Sequence, residues 1–160
     1  MFSDLLAFIL SLTVALQPVP KGFYRVVRVS DGDTIKVAVG DKTETVRFIG
    51  VDTPESVDPR RPVQCFGKAA SAKTKEMLLN KDVRLESDLL VGDRDKYKRW
   101  LRYIYLPDGT LYNKWLISAG YGHEYTYKNG PYHFQDQFKQ AERDAREHSR
   151  GLWAEDACQK

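Results

Sequence analysis

Only two of the 160 residues are cysteine, Cys65 and Cys158, and neither belongs to a Cys-x-x-Cys pair. The three histidines, His123, His133 and His148, are scattered, so no His/Cys spacing suits a tetrahedral zinc site. A structural zinc is excluded, and each histidine reads as a surface or packing residue. Long apolar runs are missing too. A membrane-spanning helix needs about 20 apolar residues, and the uncharged N-terminal run Leu5–Leu16 is only twelve residues long. There is no internal repeat and no low-complexity tract. An excess of one charge sign is also absent: a net charge of +3 is only mildly basic and does not by itself imply a nucleic-acid partner.

What is present fits one domain with a modest core, since 42% of the residues are hydrophobic and 29% charged. Leu5–Leu16 suits the apolar stretch of a secretory signal, which usually runs about 7–15 residues. Thr13-Val14-Ala15 offers a small-x-small site, although Met1–Asp4 carries no lysine or arginine. The expectation is export, secreted or periplasmic, with residues 1–20 as the signal or apolar segment and 21–160 as the domain. The same run also fits an N-terminal helix packed on the domain or, uncleaved, a membrane tether. In an exported chain Cys65 and Cys158 suit a disulfide; two buried thiols are the alternative.

Runs rich in β-branched and aromatic residues predict strands at Phe23–Ser30, Thr34–Val39, Thr43–Val51, Asp82–Glu86 and Trp100–Leu106. Asp31-Gly32-Asp33 and Gly40-Asp41-Lys42 are turns between the first three, so those strands form a meander suited to a small barrel or sandwich. Helical periodicity predicts Val63–Asn80 with Phe66, Ala69 or Ala70, Lys73 and Met77 on one face. It predicts Leu111–Ala119 with Leu111, Trp115 and Ala119 facing inward, and Phe134–His148 with Phe134, Phe138, Ala141 and Ala145. The fold class is α+β, mainly β. The connection from Asp88 to Lys98 can form a hairpin of its own.

The turn carries Asp31 and Asp33, and the third strand delivers Asp52, Thr53 and Glu55. Calcium takes about 6–8 oxygen ligands, so these residues can make a cage; they are also ordinary turn chemistry. Arg47 lies on the same strand and shares a face with Ile49 and Val51, where a guanidinium needs a carboxylate or phosphate partner. Arg99 can bring a second cation. Two arginines and a divalent ion would stabilise a pentacoordinate phosphorane, with Glu55 available to activate water. Around Arg99, the basic residues Arg94, Lys96, Lys98 and Arg102 interleave with Tyr97, Trp100 and Tyr103, which fits a solvated face or a phosphate-binding patch.

Taken in order, several motifs resemble the staphylococcal-nuclease-type thermonucleases. They are Asp31-Gly32-Asp33-Thr34, Arg47 with Asp52-Thr53-Pro54-Glu55, Asp95-Lys96-Tyr97-x-Arg99 with Tyr103, Gly120-x-Gly122-x-x-Tyr125-x-Tyr127, and Gly151-Leu152-Trp153. The likeness runs from Phe23 to Trp153. It implies a five-stranded OB-type barrel with three helices and a nuclease using one calcium ion. Asp33, Asp52 and the Thr53 carbonyl would be ligands, with Asp31 in support. Glu55 would activate water, and Arg47 and Arg99 would grip the scissile phosphate. Lys96, Tyr97, Tyr125 and Tyr127 would contact DNA or RNA, single-stranded or locally melted. The products would carry 3′-phosphate and 5′-hydroxyl ends. A monomer with no obligate protein partner is implied, with no stable membrane insertion unless the N-terminal segment is uncleaved. The sequence departs from the pattern at Lys98, often glycine in the family, at Trp100, and in a longer loop after Glu55 with Cys65 close by. Related binding modules that lack catalysis lose carboxylates or arginines from the site; here Asp33, Arg47, Asp52, Glu55 and Arg99 are all present.

Overall fold

Alternating β-branched and polar residues build the first half of the chain, and amphipathic helices close its open faces. The computed structural model describes residues 22–56, 64–128 and 130–158. The N-terminal apolar segment lies outside them. In order come β1 (Phe23–Asp31), β2 (Thr34–Val39), β3 (Lys42–Phe48), β4 (Val51–Asp52), α1 (Gly67–Leu78), β5 (Asp82–Glu86), β6 (Trp100–Tyr105), α2 (Tyr112–Ser118), β7 (His123–Glu124) and α3 (Gln135–Glu147), then a 3-10 turn at Gly151–Trp153.

Five strands close a barrel in the order β1-β2-β3-β6-β5, which selects the barrel over the sandwich. The β1-β2-β3 meander is antiparallel, pairing Thr34 with Arg47 and Val37 with Glu44. β3 and β6 run parallel, and a parallel neighbour needs a long crossover, here the stretch that contains α1 and β5. Val26, Ile35, Val37, Val46, Phe48, Leu101 and Ile104 fill the barrel, and Leu116, Ile117 and Phe138 cap it from the helices. No helix among the described residues is long and apolar enough to cross a membrane.

Several readings of the sequence need correction. The expected third strand, Thr43–Val51, breaks at Gly50, whose φ is 73°. A Cβ there would stand 2.6 Å from the Tyr132 ring, so only glycine lets the chain leave the barrel at this point. Beyond it, β4 pairs with β7 instead, Asp52 opposite His123. Arg47 therefore shares no strand face with Val51; Arg47, Phe48 and Ile49 are all buried in succession where the barrel rim is covered on both sides.

The inward face of α1 is Gly67, Ala70, Thr74 and Leu78, one residue round from the predicted stripe. A polar contact decides it: the Thr74 hydroxyl donates to Gly32 O at 2.6 Å and docks the helix beneath the Asp31–Asp33 turn. The α2 face is Tyr112, Asn113, Leu116 and Ile117 rather than Leu111, Trp115 and Ala119. Asn113 takes the Ile104 N–H at 2.8 Å and donates to Ile49 O at 2.9 Å, tying β6 to the chain that leaves β3. In α3, Phe138, Ala141 and Ala145 are buried as their spacing predicts. The Asp88–Lys98 connection forms a tight turn with a single bridge, Arg94 to Trp100, rather than a full hairpin. Cys65 and Cys158 form a disulfide with their Cα atoms 5.6 Å apart.

Candidate active site

The β1-β2 turn brings Asp31 and Asp33 to the barrel rim on either side of Gly32. A Cβ at Gly32 would lie 2.7 Å from Thr53 Oγ1, so glycine is what lets the turn press against the end of β4. Asp33 Oδ2 accepts the Thr53 N–H at 2.9 Å and its hydroxyl at 3.2 Å, while Oδ1 accepts the Thr34 hydroxyl at 2.9 Å. Asp31 Oδ1 accepts the Gly32 N–H at 2.8 Å and the Ser56 hydroxyl at 2.6 Å.

Arg47 is 7% exposed and spans the gap between the two halves of this rim. Its Nη1 stands 3.1 Å from Asp33 Oδ2, and Nη2 donates to Asp52 Oδ1 at 2.8 Å. Nη1 also donates to Val51 O at 2.6 Å, fixing the fork against the backbone just past the Gly50 bend. Burial works against the charge of the guanidinium; Asp33, the nearby Tyr127 and Asp52 outweigh it, and the net shift of Arg47 is upward. The carboxylates show the opposite strain. Burial pushes Asp31 up to about 6, with Asp33 and Glu55 adding repulsion against the hydrogen bonds from Ser56 and Gly32. Burial raises Asp52 as well, and the charges of Asp33 and Glu55 add to it despite Arg47. Negative charge is crowded here beyond what one arginine neutralises.

These donors are hard oxygens, the class that binds calcium or magnesium, and the upward shifts of Asp31 and Asp52 are what an added cation would relieve. The residues fit such an ion in chemistry. Among the described residues no three or more His, Cys, Asp or Glu side chains form a closed metal cluster. An ion would thus share Asp33 and Asp52 with Arg47 and complete its shell from carbonyls and water. Thr53 turns its N–H and hydroxyl to Asp33, so it fixes that carboxylate from behind.

The turn before β6 lines the same cleft as this rim. Asp95 organises it: Oδ1 accepts the Tyr97 and Arg99 N–H groups at 2.9 and 3.0 Å, and Oδ2 accepts Arg99 Nε at 2.6 Å. Lys98 takes φ 64° to close the turn. Tyr97 is 67% exposed, with Lys96 Nζ 4.9 Å and the Arg99 guanidinium 5.3 Å from its ring. Tyr125 and Tyr127 meet edge to face at 5.0 Å. Burial raises the Tyr127 phenol, while the charges of Arg47 and Arg99 both pull it back, so this one ring lies within electrostatic reach of both arginines.

All eleven predicted site residues line one cleft of about 1000 Å³. Cys65 and Cys158 are not among its walls. His123 packs edge-on against Trp153, ring centres 5.0 Å apart, in keeping with a packing role. Ser56 and Gln64, which hold Asp31 and Glu55, were not singled out from the sequence, and Asp95, which holds Arg99, stood there only as part of a motif with no role assigned. Asp95 had a signal, because aspartate readily bonds backbone N–H groups two residues on. Ser56 and Gln64 had none, since only the folded path brings them to their partners.

Residues 45–155 match the family model for staphylococcal nuclease homologues. The chain is 40% identical over 131 residues to the thermonuclease of Staphylococcus hyicus, covering 82% of this chain and 75% of that protein. It is 43% identical over 131 residues to the thermonuclease of Staphylococcus intermedius, with 81% and 75% covered. It is also 39% identical over 129 residues to endonuclease YncB of Bacillus subtilis (strain 168), spanning 79% of this chain and 59% of that one.

Proposed function

The chain belongs to the staphylococcal nuclease homologue family, a nuclease acting on nucleic acid, and on that premise we propose that it is a calcium-dependent phosphodiesterase cleaving DNA and RNA. The observation that carries the reading is the buried Asp33–Arg47–Asp52 arrangement opening onto the same cleft as Glu55 and Arg99. A phosphodiester entering that cleft would meet Arg47 from the barrel side and Arg99 from the turn side. Lys96, Tyr97, Tyr125 and Tyr127 would hold the flanking nucleotides by charge and stacking, which favours unpaired or locally melted strands.

Glu55 takes a proton from water, and the water oxygen bonds to phosphorus. The bond to the 5′ oxygen then breaks, that oxygen takes a proton from solvent and leaves as a hydroxyl, Glu55 returns its proton to solvent, and the other product keeps a 3′-phosphate. Arg47 and Arg99 stabilise the charge that gathers on the phosphoryl oxygens; a missing donor of this kind typically costs about 10²–10³-fold in rate. A calcium ion held by Asp33 and Asp52, with the Thr53 carbonyl and Asp31 in support, would supply further positive charge at the same oxygens. The protein acts as a monomer. Leu5–Leu16 and the disulfide both favour export, with an uncleaved membrane tether as the variant form; the N-terminal sequence of secreted material tests this, and an intact Met1 on cytoplasmic protein overturns it.

The enzymatic reading is tested by digesting single-stranded DNA and RNA with calcium and with chelator, followed by end-group analysis. Calcium-dependent fragments with 5′-hydroxyl ends are expected. Absence of cleavage, undiminished cleavage in chelator, or 5′-phosphate ends would refute it.

A further inference from the structure

Glu55 is gripped through its backbone by the segment that begins at Gln64. The Glu55 N–H donates to Gln64 Oε1 at 2.7 Å, and the Gln64 N–H donates back to Glu55 O at 2.8 Å. A Cβ at Gly67 would stand 2.6 Å from that same Glu55 oxygen and 2.9 Å from Pro54 O, so the start of α1 rests directly on this peptide. Between these contacts Phe66 holds φ 68°, a left-handed conformation that an aromatic side chain adopts only when its surroundings impose it. Its ring lies 5.5 Å from Tyr121.

The remaining fixed point is covalent. Cys65, between Gln64 and Phe66, is bonded to Cys158 across 93 residues. The C-terminal segment is itself pinned to the body, because the Leu152 N–H donates to Gly120 O at 2.8 Å. Both cysteines are exposed, so a small thiol can reach them.

We propose that Gln64 and the Cys65–Cys158 crosslink are positioning elements for Glu55, and that turnover depends on the redox state of that crosslink. The proposal rests on the assignment of Glu55 as the group that activates water. Both peptide groups of Glu55 are fixed by the Gln64–Gly67 segment, which sets where its carboxylate can reach. An external dithiol supplies two electrons, the S–S bond breaks to two thiols, and the dithiol becomes a disulfide. With the bond gone, the strained backbone at Phe66 is free to relax and to carry Gln64 off Glu55. A displacement of about 1 Å at a catalytic group can cost about a hundredfold in rate.

The test compares the oxidised protein, the protein reduced with dithiothreitol, Gln64→Ala, Gln64→Glu and the double variant Cys65→Ser/Cys158→Ser. Measured are kcat and KM on a single-stranded oligonucleotide with calcium, and the hydrogen-exchange rate of the Glu55 amide by NMR. Reduction and Gln64→Ala are each expected to lower kcat by about ten- to a hundredfold with little change in KM, and to speed Glu55 exchange. Gln64→Glu, which keeps the acceptor, retains most of the rate, and the double serine variant matches the reduced protein and ignores dithiothreitol. Where loss of the crosslink unfolds the chain, Gln64→Ala in the oxidised protein decides. Equal kcat and equal Glu55 exchange in the oxidised, reduced and Gln64→Ala proteins overturn the proposal. An oxidised protein that does not cleave, yet whose Glu55 exchange speeds on reduction, defeats the nuclease reading and upholds the brace.

Discussion

The two arginines of the cleft are held in opposite ways. Arg47 is 7% exposed, rises from a barrel strand, and stands between two carboxylates and a backbone carbonyl. Arg99 follows a turn, has 30% of its side chain exposed, and leans on the single carboxylate of Asp95. The first belongs to the architecture as well as to the site, because Asp33 and Asp52 come from different parts of the chain and Arg47 joins them. The second belongs to the site alone. The contrast extends to their neighbourhoods: on the Arg47 side hydroxyls and N–H groups of Thr34, Thr53, Gly32 and Ser56 fix the carboxylates of Asp31 and Asp33, while on the Arg99 side Tyr97 and Tyr125 stand exposed.

Substituting each arginine separates the roles. Arg47→Ala should lose both stability and activity: removing one partner of a buried ion pair typically costs about 3–5 kcal/mol, read from urea melting, and added calcium should recover part of it. An unchanged melting midpoint would dissolve the contrast. Arg99→Gln should cut cleavage by about 10²–10³-fold. Its stability should move by less than about 1 kcal/mol, since a partly exposed pair contributes little.

Burial on the acidic rim, with the repulsion of neighbouring carboxylates added, gives a pH signature. The folded-state carboxyl of Asp31 is raised from the ordinary 3.8 to about 6, so between those values the folded protein binds more protons than the unfolded chain. Its contribution to stability is therefore present at about pH 4 and lost as pH rises through 6. Asp31→Asn keeps an acceptor for Gly32 and Ser56, and in chelator it should stabilise the protein by on the order of 1 kcal/mol at pH 7.5 and by little at pH 4, discounted for the solvent that reaches this rim. Thermal melts at the two pH values check it; equal shifts at both would show that neither burial nor repulsion raises the Asp31 carboxyl.

The smallest effect belongs to the Arg99 turn. Lys98 adopts φ 64°, so Lys98→Gly relieves a left-handed residue and should raise stability by about 0.5–1 kcal/mol in chemical melts. A loss instead would mean that the Lys98 side chain holds the turn.

Much of this was legible beforehand, for reasons that differ by residue. The strands could be read because β-branched alternation is a local property, and the site residues because a resemblance supplied their order. Local pattern misled wherever a contact between distant segments decided the outcome. Thr74 turned α1 by bonding Gly32, Asn113 turned α2 by joining Ile49 to Ile104, and the close approach of Tyr132 at Gly50 ended the third strand early. Gln64 was invisible for the same reason: nothing near it in sequence points to Glu55. Lys98 is the reverse case, a departure from glycine noticed in the sequence that reappears as a strained backbone angle.

The central claim is that Arg47 and Arg99 act on one phosphate from opposite walls. A double-mutant cycle on kcat/KM with Arg47→Lys, Arg99→Lys and the pair tests it, because groups that act as a unit on one transition state lose far less together than the product of their separate losses. The account predicts a combined loss smaller than that product by about tenfold or more, whereas losses that simply multiply would mean that the two arginines serve different parts of the substrate.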